Sequence, residues 1–302
     1  MSTQVAPTPV APVVLPPRRR RRFRKAGWNL VGLVVLVVMV FPIYWMVATA
    51  FKPGHDILSY TPNWFPTHPT LSNFKDAINQ AFFWHAVKNS LIVVTVVVAL
   101  SLVLAFLAAL ALAKFRFYGR KSFITLILGV QMVPLTALII PLYILMSRAG
   151  DVKGVDHVLG VDKLSGVIVM YLTFVLPFAV WTLRGFLLGV PQELEEAAMV
   201  DGTTRFGAFV RILLPLLGPG LVATSIFAFI QAWNEFIIAY VFLHTPEKQT
   251  LMVWLASFTT LRGTDWGPLM AGATLCALPV VVFFLLVQRR IAFGLTAGAV
   301  RG

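Results

Sequence analysis

Charge is scarce in this chain. Asp, Glu, Lys and Arg make up 12% of its 302 residues, against 58% hydrophobic ones. A soluble globular domain carries roughly 25% charged residues. So little polar side chain cannot cover so much apolar surface in water, which excludes the soluble globular class in favour of a chain solvated by a bilayer. Cysteine is scarcer still. The lone Cys276 rules out an internal disulfide and lies in an apolar run, where it reads as core packing. No His/Cys cluster has the spacing of a metal site, and no Ser/His/Asp set or histidine pair suggests catalysis within a membrane. The G-x-x-x-x-G-K-[ST] loop, whose backbone amides would hold nucleotide phosphates, is missing too. The chain reads as neither an enzyme nor an ATPase, and it is expected to bind no cofactor or metal of its own.

Long hydrophobic runs are what it does have. Six apolar stretches, at about 28–50, 88–113, 122–146, 166–188, 216–242 and 268–288, each approach the ~20 residues of a spanning helix. The first follows a basic segment, as in a signal peptide, but its apolar run exceeds the ~7–15 residues of a cleaved signal and reads as an uncleaved span. Residues 1–27 are proline-rich and then basic from Arg18 to Lys25, and are expected to form a disordered cytoplasmic tail. With the N-terminus inside, 17 of the 25 Lys and Arg fall on the cytoplasmic side, while seven of the 12 acidic residues fall in outer loops. The positive-inside rule then assigns N-in/C-in. The net charge of +13 becomes an inner-leaflet signature drawn to anionic membrane lipids, and no nucleic-acid partner is expected.

The fold class that follows is all-α integral membrane. Six transmembrane helices occupy 28–288, with a cytoplasmic coupling-helix loop at 189–215 and a cytoplasmic tail at 289–302. Pro134, Pro141, Pro177, Pro219 and Pro279 interrupt the stretches. Broken spans are tolerated where neighbouring helices or a water-lined cavity satisfy the freed carbonyls, which favours a moving bundle over a static anchor. The outer segment 51–87, with Trp64, Phe82, Phe83 and Trp84, fits an interfacial aromatic belt or a short surface helix. A partner-docking surface is its other reading.

A polar segment separates the fourth and fifth stretches. Pro191 suits the first turn of a helix. Glu193, Glu195 and Glu196 put negative charge at the positive end of that helix's dipole, and Leu194, Ala197 and Ala198 make a small apolar stripe. Gly202 sits where a positive φ ends a helix easily. Thr203 or Thr204 can cap a second helix carrying Phe206, Phe209, Val210 and Ile212 on one side. Pro215 and Pro219 bracket the return into the membrane. The product is an elbow of helix, glycine turn and helix. On composition alone it could equally be an amphipathic loop lying on the bilayer.

The fuller pattern decides. Glu196-Ala197-Ala198, three residues, Gly202, nine residues, then Ile212-x-Leu214-Pro215 resembles at every position the coupling loop of binding-protein-dependent ABC import permeases. The resemblance implies that Glu196, Ala197, Ala198, Asp201, Gly202, Ile212, Leu214 and Pro215 form the interface with an ATP-binding subunit. Energy would arrive in trans, from an ABC ATPase dimer using ATP and Mg. Further implied partners are a second homologous permease and an extracytoplasmic solute-binding protein, in a bacterial or archaeal cell (inner) membrane.

Other segments resemble the carbohydrate branch of that family, and the smaller permease of maltose-type systems in particular. They are Phe65-Pro66 with Thr70-Leu71-Ser72-Asn73-Phe74, then Ile140-Pro141-Leu142-Tyr143, then Trp233-Asn234-Glu235-Phe236, then the ending Gly294 to Gly302. The resemblance covers residues 28–302 and implies a carbohydrate substrate moved by alternating access. It also implies that the tail after Arg290, a frayed terminus by composition, reaches the ATPase dimer. Glu235 is the sole ionisable residue well inside a stretch, which points to a cavity or a polar partner. With Trp233 and Asn234 it offers a stacking face, an amide and a carboxylate suited to a sugar. Equally, Asn234 and Glu235 could bond a neighbouring helix. Gln131 completes the candidate substrate path, with Thr136, Thr224, Ser225 and Gln231 as polar positions more simply read as structural. The same coupling loop would serve a permease for polyamines, phosphonates or peptides. An ATP-independent channel or facilitator would leave the loop unexplained, and a membrane enzyme would show a catalytic cluster at one face.

Overall fold

The computed structural model describes residues 18–298. Residues 1–17 of the expected N-terminal tail and 299–302 of the C-terminal tail lie outside the described residues. The chain runs through α1 (Arg18–Ala50), α2 (Gly54–Ile57), α3 (Ser72–Asn79), α4 (Phe83–Lys114), α5 (Arg120–Gln131), α6 (Leu135–Gly150) and α7 (Leu164–Leu188). It continues with α8 (Glu193–Val200), α9 (Arg205–Ala208), a π-helical turn (Phe209–Leu213), α10 (Leu214–Leu216), α11 (Gly218–Asn234) and α12 (Ile237–Phe242). A 3-10 turn (Pro246–Lys248), α13 (Leu251–Ala256), two short paired strands β1 (Thr259–Thr260) and β2 (Gly263–Thr264), and α14 (Trp266–Gly298) complete it. Helix begins at Arg18, inside the segment expected to be disordered, and α14 runs on to Gly298, through most of the expected C-terminal tail. Arg and Lys are good helix formers, and a turn added to an existing helix avoids the cost of nucleation.

Four helical segments are long and apolar enough to cross a membrane: Gly27–Ala50 of α1, α4, α7, and Trp266–Gln288 of α14. Two further candidates are bent pairs, α5 with α6 at 103° and Arg205–Leu216 with α11 at 62°. The protein is therefore a helical membrane protein with four to six candidate spans. Two of the six expected stretches are broken, one at a proline that marks it in the sequence and one at a residue that does not. The stretch at 122–146 breaks at Pro134, which stands extended (φ −63°, ψ 133°) before α6; proline has no N–H to continue the α5 ladder and pushes the preceding residue out of the helical region. The stretch at 216–242 breaks at Glu235, extended at ψ 124°, between α11 and α12. Pro141, Pro177 and Pro279, by contrast, stay inside continuous helices.

The centre of the fold is the packing of α4 on α7, with α11 against both. Buried positions on α4 recur every three or four residues, through Ala86, Ser90, Val93, Val97, Ser101, Ala105, Ala109 and Leu112. That spacing is one helix face, and its small residues let backbones approach closely where lipid supplies no hydrophobic drive. Around Ala105, Ala109 and Leu112 gather Ala179, Leu183 and Leu187 of α7, with Leu213 and Leu217 after the elbow. A second cluster at the other end joins Val93 and Val97 to Val167, Tyr171, Trp233, Phe242 and Trp254. Outside this core, α1 leaves Leu30 to Val40 between 47% and 69% exposed, a surface only lipid or another apolar chain can cover. The segment with Trp64 folds back on α1: Tyr44 Oη donates to the Trp64 carbonyl at 2.6 Å, and Trp64 meets Trp45 edge-on at 5.9 Å.

Candidate functional site

The elbow is built from local chemistry. α8 carries Glu193, Glu195 and Glu196 in its first turn, though it starts at Glu193 rather than at Pro191. Its end is a Schellman turn: Gly202 N donates to the Met199 carbonyl at 3.1 Å and Thr203 N to the Ala198 carbonyl at 3.0 Å. Gly202 takes φ +86° there, a conformation that costs any residue with a Cβ. Thr204 then caps α9, its Oγ1 accepting from Gly207 N at 3.0 Å. The helix that follows is not regular. Pro215 has no N–H to return to the Arg211 carbonyl, and the preceding turn widens to π-helix over Phe209–Leu213.

Glu196, Ala197, Asp201, Gly202 and Pro215 are exposed, Ile212 and Leu214 are half-buried, and Ala198 is buried. The expected stripe of Leu194, Ala197 and Ala198 is thus split. Ala198 packs inward, while Leu194 and Ala197 look outward with Met199 and Val200. Two contacts absent from the sequence reading tie the elbow to the end of α4. Lys114 pairs with Glu195, and Phe106 meets Phe209 with ring centroids 5.5 Å apart. Glu195 is therefore engaged within the chain, not free for a partner.

The candidate substrate path is rearranged more deeply. Trp233 is 3% exposed. Its Nε1 donates to the Cys276 carbonyl at 3.0 Å, and its ring stacks on Phe229. It knits α11 to α14 and presents no free face to a sugar, because indole buried at a helix contact satisfies its N–H on the nearest carbonyl. Asn234 is exposed and donates to the Ile230 carbonyl at 3.0 Å. Gln131 ends α5, exposed, at the break before Pro134. Glu235 is tied to two neighbouring helices, α12 through its carboxylate and α7 through its carbonyl. Its carboxylate accepts from Ile238 N at 2.8 Å and Ala239 N at 3.2 Å, and so caps α12, whose first amides would otherwise be orphaned. A cavity of about 150 Å³ opens beside it, lined by Tyr171, Phe174, Gln231 and Glu235 with Leu135 and Ile238. Of the four candidate path residues Glu235 lines this cavity and Trp233, Asn234 and Gln131 do not, while Gln231, read as structural, does. Tyr171, whose Oη donates to the Glu235 carbonyl at 3.3 Å, was not legible from any local pattern.

At the end of the fold away from the elbow, Asp162 makes a second unforeseen node. It takes a left-handed φ of +60° before α7. Its carboxylate accepts from His244 N (3.0 Å), Thr245 N (2.9 Å), Thr245 Oγ1 (2.6 Å) and Lys248 Nζ (2.8 Å). Desolvation works against the charge, but the bonds from Lys248 and Thr245 outweigh it and hold the carboxyl down at about 2. No group of three or more metal-ligating side chains occurs among the described residues.

A helical membrane protein with an exposed helix–glycine–helix elbow between two candidate spans has the form of a transport subunit. The profile of the family described as "binding-protein-dependent transport system inner membrane component" matches residues 101–296, and the chain belongs to that family. It is 45% identical over 284 residues to the diacetylchitobiose uptake system permease protein DasC of Streptomyces coelicolor, covering 94% of this chain and all of that one. With the trehalose transport system permease protein SugB of Mycobacterium tuberculosis it shares 32% over 282 residues, covering 92% and 98% of the two chains. Its fold matches a chain of a bacterial ABC transporter involved in import of the acidic polysaccharide alginate, with TM-score 0.74 at 21% identity over 91% of this chain and 98% of that one. The chain is thus a membrane permease subunit of an ABC transport system.

Proposed function

We propose that the chain is one of two permease subunits of an ATP-driven importer for a carbohydrate, an oligosaccharide or a glycoside. It would cross the membrane six times with both termini inside, with α5 and α6 as one broken span and α11 as another, the bent partner of α11 at 205–216 belonging to the elbow. An extracytoplasmic binding protein delivers the solute, and the elbow at 189–215 docks on a partner ATPase dimer that consumes ATP with Mg. Closure of the ATPases draws the elbows together and turns the central cavity outward; hydrolysis resets it. A ligand or partner can drive such a change only through contacts that differ between the two states, and the exposed Glu196, Ala197, Asp201 and Gly202 supply them here.

The observation that carries this reading is the Schellman turn at Gly202 with its threonine-capped sequel, which gives the coupling pattern a rigid, outward-facing shape. The carbohydrate assignment is supported by DasC and SugB, whose names specify diacetylchitobiose and trehalose. The test is purification of the tagged chain from its native membrane in mild detergent, followed by reconstitution of what comes with it. Co-recovery of an ATPase, a second permease and a binding protein is expected. Uptake of diacetylchitobiose or trehalose should then require ATP and resist competition by polyamines, phosphonates and dipeptides. Solute flux from the chain alone without ATP overturns the reading.

A further inference from the structure

α4 differs from every other candidate span. Its 32 residues contain neither glycine nor proline, whereas α1, α7, α14 and both bent pairs contain at least one of each. Kinks arise almost always at such residues or at inserted groups. A helix of that length spans about 48 Å and has no weak point along it. Both of its ends are fastened by side chains to elements far away in sequence. At one end Lys114, in the last turn, pairs with Glu195 of the elbow, both about three-quarters buried, and Phe106 meets Phe209. At the other end Asn89 Nδ2 donates to the Glu247 and Gln249 carbonyls at 2.8 and 3.0 Å. Beside it Ser90 Oγ accepts from Leu251 N at 2.7 Å. The same 244–248 loop is held to the start of α7 by Asp162.

We propose that α4 is the rod that carries the elbow's displacement to the opposite face, and that the Lys114–Glu195 pair is the clasp by which the elbow grips it. This rests on the coupling reading of the elbow above and adds the element that receives its motion. The Coulomb attraction of a largely buried pair is screened little by salt, and Lys114 lies where a cation also favours the helix C-terminus. The aromatic contact alone is apolar and non-directional, so it tolerates sliding that the ion pair does not. Lys114 and Glu195 are positioning residues: they hold the docking surface in register with the core without touching solute or nucleotide.

The test is hydrogen exchange in the complex purified from its native membrane, nucleotide-free and trapped with ATP and vanadate. Two peptides are followed, the elbow over 193–203 and the opposite loop over 243–251. In the wild type both should respond to nucleotide. In Glu195→Gln and Lys114→Met the elbow should still respond while the 243–251 response is mostly lost. The exchanged pair Lys114→Glu with Glu195→Lys should restore it, which a merely destabilised elbow would not allow. An undiminished 243–251 response in both single variants overturns the clasp. So does a response lost in the single variants and not restored by the exchange. If the wild-type elbow itself ignores nucleotide, the coupling reading falls first and this inference with it.

Discussion

Gly202 and Asp162 show how much can depend on one backbone angle. Gly202 holds φ +86° with open space around a would-be Cβ, so alanine there meets no neighbour and costs only the left-handed penalty of roughly 1–2 kcal/mol. Proline costs more, because its ring holds φ near −65° and removes the N–H that bonds the Met199 carbonyl. Gly202→Ala should reduce ATP-driven uptake partially and Gly202→Pro should abolish it, with the amount of protein in the membrane unchanged by immunoblot. Normal uptake by the proline variant would sink the elbow hypothesis. Asp162 sits at φ +60°, tolerable for Asp, and its carboxyl is held at about 2, below the ordinary 3.8. The sign is that of a depressed acid: its tie to His244 and Thr245 is fully present above the ordinary value and is lost as pH falls through about 2. Protection of those two amides, corrected for intrinsic exchange, should therefore hold from neutral pH to about 4 and fall below it. Asp162→Ala should abolish the protection at neutral pH.

Helix contacts set the next constraint. A Cβ on Gly220 of α11 would stand 2.7 Å from the Phe186 ring of α7, while one on Gly218 meets nothing within 4 Å. Overpacking of this kind costs typically about 1–3 kcal/mol. Gly220→Ala should accordingly lower the thermal unfolding midpoint in detergent, and Gly218→Ala should leave it unmoved or slightly raised. Equal midpoints would mean that α11 and α7 are not packed as described. The same α11 shows why the break at Glu235 persists. A carboxylate that caps two amides of α12 replaces bonds the interrupted ladder has lost, so the chain can bend within a membrane without stranded donors. Pro134 does the corresponding work between α5 and α6 by forbidding the helix to continue.

For the whole molecule the exposed apolar area is the governing fact. α1 is almost unburied along its apolar length, and no soluble arrangement of this chain would leave it so. Orientation is the property most open to direct measurement. Tyr118 is exposed between α4 and α5, Val200 in the elbow and Leu261 at the tip of the β1–β2 turn, while the native Cys276 is buried and contributes little background. With an impermeant maleimide on intact cells, Leu261→Cys should label directly. Tyr118→Cys and Val200→Cys should label only after permeabilisation. The reverse pattern would invert the topology and put the elbow out of reach of any cytoplasmic ATPase.

Much of this was legible from residues close together in the chain. Hydrophobic runs near spanning length, the Glu-rich first turn of α8, the glycine that ends it and the threonine that caps the next helix act within a few residues of themselves. Their physics is local, and no tertiary context was needed to read them. Pro134 signalled its break for the same reason. What only the tertiary structure decided concerns groups whose partners lie far off: Trp233 turned to the Cys276 carbonyl 43 residues away, Lys114 to Glu195 at 81, and Asp162 to Thr245 at 83. A tryptophan or a carboxylate offers the same chemistry to a sugar as to a neighbouring helix. Which of them takes it depends on how helices cross, and crossing is set by packing between faces that no local pattern encodes.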